Sequence, residues 1–94
     1  MNSLEDYLRA ADRLAQQVVN DWEANVRSGN TALLTLQFKA LFAKARRYRD
    51  AKNLANNHRK HDVLEEREEA EETSTREEFA EAYRAFDKER TQSS

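Results

Sequence analysis

Lys39, Arg46, Arg49, Asn53, Asn56, Asn57 and Lys60 recur at spacings that gather them within an arc of about 100° on a helix. Lysine and arginine neutralise phosphates, and asparagine amides bond bases or backbone. A helix with that face could lie along nucleic acid, with Lys39, Arg46, Arg49, Asn53 and Lys60 as the contact set. Two observations oppose this reading. Lys44, Arg47, Lys52 and Arg59 fall outside the arc and smear the charge around the helix, and the pI of about 5.7 is far from the basic footprint of a dedicated binder. A solvated face neutralised within the chain is the simpler account.

A second constellation is aromatic. Phe79, Tyr83 and Phe86 form a short stripe after a long polar segment. Such a stripe either packs on the rest of the chain or anchors a partner protein, and stripes at helical spacing are usually core. Phe42 is expected to point away from the apolar seams of its helix, towards Lys39 and Arg46, as an exposed contact residue. With Glu71 and Glu72 from the acidic run, these residues make a candidate protein-binding set: Phe42, Phe79, Tyr83, Phe86, Glu71 and Glu72. The partner would offer a basic or apolar groove.

His58 and His61 stand three apart, with Glu65 four further on, a spacing that could hold zinc on one helical face. Arg59 and Lys60 beside them would repel a cation, and there is no cysteine or third histidine. The pair reads as surface residues near a helix end, able to protonate just below neutrality. No Gly-rich phosphate loop or nucleophile elbow occurs, so neither an enzyme nor a cofactor is expected.

These residues sit on a chain that can be little other than helical. It has 94 residues, one Gly and no Pro, while sheets need turns that usually draw on those two. Its Ala-, Glu-, Arg-, Lys- and Leu-rich stretches favour helix. The predicted class is all-α: an elongated antiparallel helical hairpin plus a C-terminal acidic helix, associating as a dimeric bundle. Dimerisation is expected because only 38% of the residues are hydrophobic and a single small core supplies only about 3–5 kcal/mol.

The first helix should occupy about residues 4–27. Ser3 can cap it, Glu5 and Asp6 suit its positive end, and Gly29 suits the left-handed cap beyond its last turn. Leu4, Leu8, Ala11, Ala15, Val18, Trp22 and Val26 give it one apolar face. A short connection at residues 28–30 leads to a second helix, about 31–58, within a stretch (31–61) that would run roughly 45 Å as one rod. Two seams are legible on that rod. One holds Leu34, Phe38, Leu41, Ala45, Tyr48 and Ala55; the other holds Leu33, Leu36, Ala40, Ala43, Ala51 and Leu54. Two seams predict burial on two sides, hence a central helix.

Residues 62–90 form the acidic segment, either one helix or two. Asp62 with Glu65, and Ser74 with Glu77 or Thr75 with Glu78, resemble capping boxes that would start separate helices. Residues 91–94 should be a disordered tail. The charge is strongly divided: net −2 over residues 1–30, +7 over 31–61 and −7 over 62–94. A basic middle followed by an acidic end suits a small interaction protein, a regulator or inhibitor that docks on another macromolecule. No run approaches the roughly 20 apolar residues of a membrane span. The opening residues lack a leader pattern, and a cytoplasmic location is expected.

Overall fold

The computed structural model describes residues 3–92. Among them the chain forms three α-helices, α1 (Leu4–Ser28), α2 (Leu36–Lys60) and α3 (Glu66–Gln92), and no strand. The radius of gyration is 14.5 Å, against about 12 Å for a compact domain of this length, and the extents are 46 × 32 × 17 Å. The shape is an elongated slab.

Local chemistry fixes the ends of α1. The Ser3 hydroxyl accepts from the Asp6 amide at 3.3 Å. Gly29 closes the helix at φ 73°, and the Gly29 and Asn30 amides bond back to Val26 and Asn25. The second helix starts later than the sequence suggests. Residues Thr31–Leu33 form a 3-10 turn, and α2 begins only after Thr35, whose hydroxyl accepts from the Phe38 amide at 3.1 Å. A Thr side chain positioned to cap makes a new start cheaper than extending the turn.

Past its start, α2 is unbroken. Its asparagine-rich end, Asn53, Asn56 and Asn57, is weak in helix propensity but stays helical as far as Lys60. The following turn places Asp62 at φ 59°. Asp62 therefore does not cap a helix; it takes the left-handed corner that Asp tolerates better than most residues. From Glu66 onward the acidic segment is one helix, not two. Thr75 is buried, and its hydroxyl bonds back to the carbonyls of Glu71 and Glu72 at 2.8 and 3.1 Å. That back-bonding satisfies the hydroxyl inside a continuous helix, so the second capping box goes unused. Of the predicted tail, Thr91 and Gln92 complete α3, and residues 93–94 lie outside the described residues.

All three helices meet around one core. It holds Tyr7, Ala11, Leu14, Ala15, Val18 and Val19 of α1, Leu41, Ala45 and Tyr48 of α2, and Phe79 and Ala80 of α3. Alanines at the contacts let the helices approach closely, so a few large rings can fill the space between. The rings form one connected set containing all eight aromatic residues of the chain. Phe42 stacks on Trp22 at 5.0 Å between centroids, Trp22 meets Phe38 at 5.9 Å, and Phe38 meets Phe86 at 6.0 Å. Tyr83 then joins Phe86, Phe79 and Tyr7, and Phe79 stacks on Tyr48.

This arrangement corrects the reading of α2 as a central rod gripped on two sides. Its first seam is buried at Leu41, Ala45, Tyr48 and Ala55, but the second is not: Leu36 is 84% exposed and Leu54 50%. The reason is that α1 and α3 also pack on each other. Tyr7 of α1 contacts Tyr83 of α3, and the Arg76 guanidinium donates to the Leu8 carbonyl at 3.0 Å. In such a triangle each helix buries only one face.

Candidate functional site

The basic residues of α2 separate into two groups once the neighbouring helices are in place. Those on the flanks facing α1 and α3 are neutralised. Lys52 meets Asp12 at 2.9 Å, Arg47 reaches Glu78 at 3.4 Å and Glu71 at 3.8 Å, and Arg59 reaches Glu72 at 3.3 Å. His58 pairs with Glu68, bridging the last turn of α2 to the first turn of α3. Lys39, Arg46 and Lys60, with Lys44 and Arg49 at their flanks, have no carboxylate partner among the described residues. Lys39, Arg46, Asn53 and Lys60 are exposed and stand seven residues apart, so they line up along the outer side of the helix with a rise of about 10 Å between neighbours.

The exposed second seam runs beside this row. Leu36, Ala40, Ala43 and Leu54 advance by fours and threes, interrupted by Arg47 and Asp50. The outer face of α2 therefore carries a broken apolar strip flanked by an unneutralised cationic strip. Sequence reasoning found the cations but buried the leucines. Two equally periodic seams cannot be told apart when the angle between the neighbouring helices is unknown.

The aromatic and acidic candidates sit elsewhere. Phe79 is fully buried, and Tyr83 and Phe86 pack half-buried against the core. The expectation that Phe42 stands exposed beside Lys39 and Arg46 is corrected, because Trp22 of α1 reaches across to cover it. Glu71 and Glu72 are held in the ion pairs with Arg47 and Arg59. A shallow open groove at one end of the slab is lined by Ala24, Ala32, Leu33, Phe38 and Phe86, and its rim cation Arg90 is engaged with Asp87 and the Phe86 ring.

Two buried tyrosines brace the bundle. The Tyr48 hydroxyl donates to Asp12, and the Tyr7 hydroxyl donates to Asp87 at 2.9 Å. Burial, followed by these carboxylate bonds, pushes both hydroxyls above the usual tyrosine range. Asp12 is lowered: burial acts against it, but the bonds from Tyr48 and Lys52 outweigh that effect. The Tyr7 bond is the main cause of the lowering at Asp87, with Arg90 adding to it. Nothing in the sequence pattern marked Asp12, which stands off the apolar face of α1.

His61 is exposed at the end of α2, and no group of three or more His, Cys, Asp or Glu among the described residues is placed to hold a metal. No helix among them is long and apolar enough to cross a membrane. No protein-family model, curated protein or solved structure matches the chain.

Proposed function

We propose that this chain is a small, non-catalytic helical interaction protein that docks on another macromolecule through the outer face of α2 and modulates it. One observation carries the reading. Asp12, Glu71, Glu72 and Glu78 pair with basic residues of α2, whereas Lys39, Arg46 and Lys60 have no carboxylate partner among the described residues and stand beside exposed Leu36 and Leu54. A face kept only for solvation has no use for leucines, and exposed apolar strips rimmed by charge mark interaction surfaces. The docking surface proposed is thus α2 and not the aromatic stripe, whose rings are taken up inside the bundle.

A photo-crosslinking residue at Asn57 tests this reading in cells that make the protein. A discrete adduct is expected from Asn57, and a much weaker one from Thr73 on the exposed side of α3. Both Lys39→Glu and Arg46→Glu should diminish the Asn57 adduct. Equal labelling from the two positions, or adducts indifferent to the charge reversals, overturns it. Association into a dimer, expected from the thin core, is read separately by sedimentation of the 11.0 kDa chain.

Nucleic acid is the second reading. The row of Lys39, Arg46, Asn53 and Lys60 at seven-residue steps favours it, because three cations and an amide aligned on one face can follow a phosphate backbone. Mass analysis of the same adduct distinguishes a nucleotide from a peptide.

A further inference from the structure

We propose that the occupant of the α2 outer face is an acidic amphipathic helix of a partner protein, its apolar residues seated on Leu36, Ala43 and Leu54 and its carboxylates on Lys39, Arg46 and Lys60. The inference rests on the docking role proposed for this face and names the chemistry of what docks there.

The two strips have the form that a single helix can read. Apolar positions 36, 40, 43 and 54 hold four of the six places of a four–three helix–helix seam, with Arg47 and Asp50 in the other two. The cations Lys39, Arg46 and Lys60 beside them stand in a seven-residue row whose third place is Asn53. A second helix crossing at a shallow angle repeats its own side chains at the same period. Its leucine-type residues then meet the seam, and acidic residues one position around its circumference meet Lys39, Arg46 and Lys60 in turn. Ala40 and Ala43 are small enough for the backbones to approach, and Leu36, 84% exposed, loses most of its water contact when covered. This is the groove-and-ridge mode in which an amphipathic helix supplies anchors to a matching surface.

Charge complementarity excludes the closest rivals. A duplex gains nothing from Leu36 and Leu54, since phosphate contacts are polar. It is also wide enough to meet the field of α3, which packs along α2 and exposes Glu66, Glu69, Glu77 and Glu81. A lone helix about 10–12 Å across meets fewer of the α3 carboxylates, chiefly Glu71 and Glu78 where they pair with Arg47 within the strip. A second copy of this chain fits worse. Apposing two α2 faces brings like cations together, with Asp50 the only acid of that helix to relieve them. The outer side of α3 offers carboxylates, but its large apolar residues Phe79, Tyr83 and Phe86 are turned into its own core.

The test pans a library of displayed helical peptides against the full chain and measures the recovered peptides by fluorescence anisotropy. A 24-base-pair duplex serves as the rival probe. Because Leu36, Leu54 and Arg46 are exposed, the variants Leu36→Ser with Leu54→Ser, and Arg46→Glu, should keep wild-type helicity by circular dichroism. Recovered peptides are expected to carry apolar residues three and four apart flanked by Glu or Asp. Each variant should weaken them at least tenfold, and raising salt from 50 to 500 mM should weaken them several-fold. The proposal is overturned if selected peptides lack the acidic pattern or ignore the leucine variant. It is also overturned if sedimentation shows this face consumed by self-association. Duplex binding that falls log-linearly with salt and is untouched by the leucine variant overturns the acidic helix while leaving the docking role of α2 standing. Failure of the Asn57 crosslink removes the docking role itself.

Discussion

Tyr48 of α2, 2% exposed, donates a hydrogen bond from its hydroxyl to Asp12 of α1, and the same carboxylate pairs with the Lys52 ammonium at 2.9 Å. One acidic side chain on the rim of the core thus ties two helices through a neutral and a charged donor. Tyr48→Phe should cost about 1.5–3 kcal/mol, the net worth of a hydrogen bond to a charged acceptor. Urea unfolding monitored by circular dichroism checks it.

The same pair makes stability fall in alkali. Burial and the Asp12 bond raise the Tyr48 pKa in the folded state above the ordinary value of about 10. A raised folded-state value contributes stability that is fully present below pH 10 and is lost as pH climbs towards the higher value. The melting temperature should therefore decline above about pH 10, and Tyr48→Phe should blunt the decline.

In acid the sign reverses. Asp12 and Asp87 are both lowered in the folded state. Their contribution is present above the unfolded carboxyl value of about 3.9 and disappears as pH falls through the folded values. Thermal melts should lose stability below about pH 4, and Asp12→Asn combined with Asp87→Asn should flatten that limb.

Phe79→Ala removes the fully buried ring that stacks on Tyr48 and touches Tyr83. A cost of about 3–5 kcal/mol is expected, enough to unfold a small bundle at room temperature. Phe42→Ala should cost less, because that ring is only half-buried on Trp22. Comparing the helicity of the two variants at 25 °C tests the ranking.

Gly29→Ala meets no atom within 4 Å, so any effect comes from φ +73° alone. About 1 kcal/mol of destabilisation is expected, without a change in fold. Thr35→Ala should cost a similar amount by removing the cap that starts α2.

The sequence carried the helical class, the Ser3 and Gly29 boundaries of α1 and the inner seam of α2, because each follows from propensity, capping or period within one element. What it withheld depends on how the elements face one another. Val19 is 1% exposed although it stands beside the apolar row read for α1, since α2 and α3 together widen the buried sector of that helix. Leu36 and Leu54 have the same period as the buried seam and differ from it only in which side the neighbours occupy. The cation row was legible as an arc, but not which of its neighbours Glu71, Glu72 and Asp12 would neutralise, because those carboxylates arrive from other helices.

The guanidinium of Arg76 closes on the Leu8 carbonyl 68 positions earlier, and Phe79 fills the space around Tyr48. Residues 3–61 therefore do not complete their packing without α3. After residue 61 is made, 25 more must follow, roughly 1–5 s at ordinary translation speeds, before the last ring, Phe86, arrives. For that interval Tyr7 and Tyr48 lack the α3 rings Tyr83 and Phe79 that pack on them, a window in which a chaperone or a premature neighbour can claim them.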